Sequence, residues 1–185
     1  MSIRRLNTRS DRIMPELIPV LSREEIKERI AGVAVQISKD YENRELVLIG
    51  VLKGAFVFLS DLIRHLTIPV QLDFVSISSY GSGTASTGEI RLTKDLGIAI
   101  SGKDVLIVED IIDSGQTLQW LSDYLRTLDP KSVRTCTFID KRERREENIP
   151  VDYACHTVEE GFLVGYGLDY AEDYRYLPGI YHLKL

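Results

Sequence analysis

The sequence is short of the residues that staple, ligate or anchor. It has two cysteines, Cys136 and Cys155, in 185 residues. One widely separated pair is neither a disulfide framework nor a zinc ligand set. The three histidines, His65, His156 and His182, do not cluster. They give no basis for a Ser–His–Asp or Cys–His nucleophile, nor for a histidine metal site. No apolar run approaches the roughly 20 residues that span a bilayer. The first twelve residues carry four arginines with no apolar stretch behind them, so no secretory signal is expected. Positive charge is also scarce: 23 Lys and Arg against 28 Asp and Glu leave a net charge of −5. That is the wrong sign for a non-specific nucleic-acid binder. The expectations are therefore no membrane partner, no nucleic-acid partner, and a reducing, cytoplasmic setting. There are no internal repeats and no low-complexity tract.

What is present suits one globular domain over residues 1–185, with 44% hydrophobic and 28% charged residues. The most informative stretch runs from Val105 to Leu118. Val105-Leu106-Ile107-Val108 reads as a strand buried on both faces. Glu109 and Asp110 follow, where such a strand would leave its sheet. Asp113, Ser114, Gly115, Gln116 and Thr117 then form a tight polar loop. Leu118, Leu121, Leu125 and Leu128 recur at helical spacing, so a helix begins near Gln116 or Thr117, with Pro130 to stop it. The first turn of a helix offers unpaired N–H groups and the positive end of its dipole. Gly115 admits close approach to the main chain, and Ser114 and Thr117 add hydroxyls, which together make a phosphate cradle. The acidic pair would repel phosphate, but carboxylates accept hydrogen bonds from vicinal hydroxyls. A phosphate cradle beside a diol clamp describes a ribose 5-phosphate site.

The remaining pattern places this loop at a sheet edge. Residues 1–16 have no strong period and are expected as a loose arm. Ile18 to Leu21 is a short extended segment. Ser22 and Glu25 form a capping box, opening a helix that carries Ile26, Ile30, Val33, Val35 and Ile37 and ends near Tyr41. Strands are expected at Leu46 to Val51, Val70 to Ser78, Glu89 to Thr93, Val133 to Ile139, Val151 to Cys155 and Phe162 to Val164. Helices are expected at Ala55 to Leu66 and as a turn or two over Tyr170 to Leu177, before a short tail. Strands alternating with helices predict an α/β fold whose mostly parallel twisted sheet is flanked by helices, with chemistry at the carboxyl ends of the strands.

The run Val105 to Thr117 resembles the 5-phosphoribosyl-1-pyrophosphate (PRPP) motif of the type I phosphoribosyltransferases. Its local form, Glu109-Asp110-Ile111-Ile112-Asp113-Ser114-Gly115, is similar to the hypoxanthine (hypoxanthine-guanine) branch. A second block, Phe162-Leu163-Val164-Gly165-Tyr166-Gly167-Leu168-Asp169-Tyr170, carries the resemblance further, and overall it covers about residues 18 to 180. It implies a small hood formed by N- and C-terminal segments, with residues 141–185 contributing to the purine-binding part, and a mobile lid at 79–97. The activity implied is Mg²⁺-dependent purine salvage: transfer of phosphoribose from PRPP to N9 of hypoxanthine or guanine, by a homodimer or homotetramer.

The resemblance also gives roles to residues that have plainer readings. Lys53 and Gly54 are a surface lysine and a turn glycine, or a pyrophosphate loop in which Leu52–Lys53 can be a cis peptide. Ser79 and Tyr80 begin a hairpin tip, or belong to a lid that touches pyrophosphate when shut. Asp113 is a helix N-cap, or the group that takes the proton leaving N7 of the purine. Lys141 opens a solvated charge run through Glu147, or hydrogen-bonds the purine O6 and so rejects adenine. Phe162 would stack on the base and the Leu163 main chain would meet its edge. Asp169, with Glu109 and Asp110, would hold Mg²⁺, and Arg175 would reach pyrophosphate; its plain reading is an exposed helix arginine. The stretch Cys155 to Gly161 and Leu163 depart from the usual family pattern beside the base pocket. Two rivals remain: a non-catalytic PRPP sensor of the same fold, and a phosphoacceptor receiver domain, which would need its acid pair on the first strand.

Overall fold

The computed structural model describes residues 15–80, 89–147 and 149–184. Of the arm expected at 1–16, residues 1–14 lie outside the described residues, and so do residues 81–88 of the lid expected at 79–97. The elements run β1 (Glu16–Leu21), α1 (Arg23–Asp40), β2 (Leu46–Leu52), α2 (Phe56–His65), β3 (Val70–Tyr80), β4 (Glu89–Lys94), β5 (Asp104–Ile112), α3 (Gln116–Arg126), β6 (Ser132–Lys141), β7 (Tyr153–Val158), β8 (Leu163–Val164) and β9 (Ile180–Lys184).

The main sheet has six strands in the order β4-β3-β2-β5-β6-β7. All neighbours are parallel except β3 and β4, which form an antiparallel pair at one edge. Successive strand residues alternate between two cores. Leu46, Leu48, Leu106, Val108 and Phe138 pack with α1 and α2 on one face. Val47, Ile49, Val105 and Ile107 pack with Leu118, Leu121 and Leu125 of α3 on the other. The capping box at Ser22 and Glu25 is formed in full, with Glu25 N donating to Ser22 Oγ at 3.2 Å and Ser22 N to Glu25 Oε2 at 2.8 Å.

The chain leaves β2 toward β3 on one side and leaves β5 toward β6 on the other. Such a reversal opens a crevice at the carboxyl ends of the two central strands. Over it lies a small antiparallel sheet, β1-β9-β8, built from the N- and C-terminal segments. Phe58, Phe138 and Tyr166 chain their rings between the two parts, and the Tyr166 hydroxyl donates to Asp61 of α2 at 2.5 Å.

Several sequence expectations are corrected. The short tail is β9, which pairs with both β1 and β8. Tyr170 to Leu177 is a series of turns instead of a helix, because Ala171, Glu172 and Tyr174 take left-handed backbone that a right-handed helix excludes. The strand expected at Val151 to Cys155 is displaced to Tyr153–Val158. Val35 is exposed, off the buried stripe of α1. Helix α3 ends at Arg126, before Pro130 could stop it. Among the described residues, no helix is long and apolar enough to cross a membrane.

Candidate active site

The acidic pair lies within β5, not beyond it. Glu109 pairs with Thr137 and Ile112 with Asp140, so the strand continues through both acids before it ends. Both side chains are half-buried. Burial, then the neighbouring Asp110 charge, lifts the Glu109 carboxyl well above the usual carboxylate range. Burial pushes Asp110 up to about 6, although backbone hydrogen bonds and the charge of Arg175 oppose it.

After Ile112 the chain turns through Asp113, Ser114 and Gly115 into α3. The helix cap is Gly115, at φ +87°, with no side-chain cap bond. The N-cap reading of Asp113 is thereby removed. Its Oδ1 is buried with no hydrogen-bond partner among the described residues, and its Oδ2 lies 3.7 Å from Lys141 Nζ. Asp113 also stands between two cavities. One, of about 170 Å³, is lined by Glu109, Asp113, Ser114, Gly115 and Thr117. The other, of about 190 Å³, is lined by Asp110, Asp113, Lys141, Phe162, Leu163 and Asp169. Gln116 begins α3 at the rim, its N–H 3.4 Å from Ser114 Oγ.

Lys141 is the last residue of β6 and is not part of a solvated run. Its side chain is 5% exposed, and Nζ lies 3.0 Å from Glu143 Oε2. The same Glu143 oxygen accepts from Gly161 N at 3.3 Å. Phe162 is 43% exposed at the cavity mouth and meets Tyr170 edge-on, with ring centroids 5.5 Å apart. Leu163 is buried in β8, paired with His182.

The loop after β2 faces this group across the crevice. The Leu52–Lys53 peptide is cis. Lys53 Nζ pairs with Glu172 at 3.0 Å, both side chains largely in solvent. Arg175 is part-buried: it donates to Gly167 O at 2.7 Å and pairs with Asp169 Oδ1 at 2.7 Å, which contradicts an exposed helix arginine. Its Nε has no hydrogen-bond partner among the described residues. The other Asp169 oxygen accepts from Glu172 N at 2.9 Å. Gly54 has Asp110 against its Cα, and a β-carbon on Gly167 would come within 2.4 Å of the Gly54 carbonyl. Ser79 and Tyr80 are the final residues of β3, opposite Ile90 and Glu89.

A family model described as "Phosphoribosyl transferase domain" matches residues 20–171. The chain belongs to the phosphoribosyltransferase family. It is 48% identical over 156 residues to the hypoxanthine phosphoribosyltransferase of Salmonella typhimurium, covering 83% of this chain and 88% of that one. It is 47% identical over 169 residues to the hypoxanthine-guanine phosphoribosyltransferase of Dictyostelium discoideum, covering 89% and 94%. A crystal structure of a hypoxanthine phosphoribosyltransferase from Staphylococcus aureus superposes with a TM-score of 0.86 at 42% identity, covering 90% of each chain.

In this phosphoribosyltransferase, reading the sequence missed Glu143 and Arg145. Both belong to the charged run after Lys141, and nothing in the run marks them out from its solvated members. Arg145 is instead folded back onto the loop after β5. A larger cavity, about 910 Å³, lies between α1, α2 and the segment around Tyr176. It shares Arg175 with the site but is lined by neither the acidic pair nor the polar loop.

Proposed function

We propose that the protein transfers the 5-phosphoribosyl group of PRPP to N9 of hypoxanthine, with guanine as a second acceptor, releasing pyrophosphate in purine salvage. The carrying observation is Asp113. Its unpartnered, buried carboxylate oxygen stands between a cavity lined by a glycine and hydroxyl loop and a cavity lined by a lysine and an aromatic ring.

The roles follow from the chemistry of each group. Ser114, Gly115, Gln116 and Thr117, with the start of α3, hold the 5′-phosphate. Glu109 and Asp110 offer carboxylate oxygens that accept from the ribose hydroxyls. Phe162 stacks on the base, the Leu163 main chain meets its edge, and Lys141 donates to O6. The bond from the anomeric carbon to pyrophosphate breaks as N9 bonds to that carbon, through a transition state with oxocarbenium character. The N7 proton, made acidic by bond formation at N9, passes to Asp113. Main-chain N–H groups near Gly54, with Lys53, Arg175, Ser79 and Tyr80, receive the departing pyrophosphate, and the 79–97 lid keeps water out.

Among the described residues no three metal-type side chains cluster. Mg²⁺ needs no such cluster, since it takes one or two carboxylates and completes its shell with phosphate oxygens and water. Asp169 and Asp110 line the same cavity, and Asp169 keeps lone pairs beyond those used by Arg175 and Glu172, so these two carboxylates fit, with Glu109 next to Asp110 as the further candidate. When bound, Mg²⁺ would neutralise charge on the leaving pyrophosphate. Buried, free Cys136 and Cys155 agree with a cytoplasmic setting. Exposed Phe56 and Tyr176 bordering the 910 Å³ groove support assembly into a homodimer or homotetramer.

The test is incubation with PRPP, Mg²⁺ and hypoxanthine, guanine, xanthine or adenine in turn, with nucleotide followed by chromatography. Monophosphate should form with hypoxanthine and not with adenine. PRPP binding without nucleotide from any base would replace the transferase by a sensor.

A further inference from the structure

We infer that Arg145 is the positioning residue of the phosphate loop: it holds the loop from behind, with its carbonyls turned outward and its N–H groups turned toward the 5′-phosphate. The inference rests on the reading of residues 113–117 as the 5′-phosphate cradle. Three consecutive carbonyls of the loop are engaged by one segment. Ile112 O accepts from Arg145 Nη2 at 3.3 Å, and Asp113 O accepts from Arg145 Nε at 3.1 Å. Ser114 O accepts from Glu146 N at 3.0 Å and Glu147 N at 3.1 Å. In a trans peptide the C=O and the following N–H point in opposite directions. Fixing the carbonyls of 112, 113 and 114 on one side therefore turns the N–H groups of Asp113, Ser114 and Gly115 to the other side. That is the arrangement an anion needs, and it is set before the anion arrives.

Arg145 is itself firmly placed. Nη2 also donates to Lys141 O at 3.0 Å and pairs with the Asp140 carboxylate, and the Arg145 side chain is 20% exposed. Asp140 pairs with Ile112 across the sheet. One guanidinium thus joins the end of β6, which carries Lys141, to the turn that carries Asp113. Glu147 completes the contact, with its Cβ 3.3 Å from where a β-carbon on Gly115 would sit. A planar fork with five donors can meet these diverging acceptors together, whereas a lysine ammonium has a single donor centre.

The experiment measures binding of ribose 5-phosphate and, separately, of pyrophosphate with Mg²⁺ by calorimetry, in full-length wild type, Arg145→Ala, Arg145→Gln and Arg145→Lys. Arg145→Ala should weaken ribose 5-phosphate by about ten-fold or more, the scale of a lost charge-assisted hydrogen bond. Pyrophosphate should stay within about two-fold, because the groups proposed for it lie across the crevice; the same scale of hydrogen-bond energies sets that margin. Arg145→Lys should behave like Arg145→Ala, and added guanidinium should restore part of the loss in Arg145→Ala. Equal weakening of both ligands, or unchanged binding of both with a lowered melting temperature, makes Arg145 a general structural residue and overturns the inference. So does failure of all three variants to fold. A wild-type protein that binds pyrophosphate but not ribose 5-phosphate removes the cradle reading itself, a result separable from any effect of Arg145.

Discussion

The carboxylate of Asp110 lies directly on the Cα of Gly54: a β-carbon built there would fall 1.7 Å from Asp110 Oδ2. The end of β5 and the loop after β2 therefore interlock at the reversal point of the sheet, and the acid is held by an absent side chain. Gly54→Ala must displace Asp110 or the loop. We expect kcat/KM for PRPP to fall by at least about ten-fold, with about 1–3 kcal/mol lost to overpacking. Steady-state kinetics beside urea denaturation check both; a variant with wild-type kinetics would show that Asp110 does not need this placement.

Asp113 has one oxygen free and is not spent on capping the helix. Asp113→Asn should lower kcat by about 10²–10⁴-fold, the usual scale of general acid–base assistance. The Kd for PRPP should hardly move. Parallel losses in turnover and PRPP affinity would return the residue to a structural role in the loop.

Lys141 is buried with its ammonium between Glu143 and Asp113. Lys141→Gln should cut kcat/KM for hypoxanthine by about 10–100-fold, the scale of a hydrogen bond from a charged donor. It should also narrow the gap between hypoxanthine and adenine, since the glutamine amide, unlike the ammonium, has a carbonyl oxygen that can accept from a 6-amino group. Competition assays with both bases measure this. An unchanged preference would place base selection elsewhere.

Stability at low pH should depend on Asp104. This carboxylate is buried at the start of β5. Burial alone would raise its pKa, but hydrogen bonds from Arg44, at 2.5 and 2.8 Å, and from Ser132, at 2.5 Å, together hold it below the ordinary value. A folded-state pKa below the unfolded one means a contribution that is complete above the unfolded pKa, about 3.9, and is lost as pH falls through the folded value. Asp104→Asn should cost about 2–3 kcal/mol at pH 7, at or below the usual cost of breaking a buried pair because Arg44 keeps one face in water. The difference from wild type should shrink in acid. Urea midpoints from pH 7 down to pH 3 would show it; a constant difference would exclude the linkage.

Where a feature depends on neighbours in the chain, the sequence was readable. The capping box at Ser22 and Glu25 closes within one helical turn, and the helix after Gly115 begins where the leucine spacing begins. Val105 to Val108 is a buried strand because its four side chains have two apolar faces to fill. The same local logic failed at Tyr170 to Leu177, where left-handed residues turn a helix-like pattern into a set of turns. It also failed at β9, whose partners are β1 and β8 and whose own residues carry little period.

The sequence alone determined the strand–acid–loop–helix order, since propensity, capping and charge act over a few residues. Only the tertiary structure decided that Asp110 sits on Gly54, that Lys141 is buried opposite Asp113, and that Arg145 leaves its charged neighbours to grip the loop from behind. These are contacts between segments distant in the chain. Burial and three-dimensional packing set them, and neither has a signature in the spacing of residues along one strand.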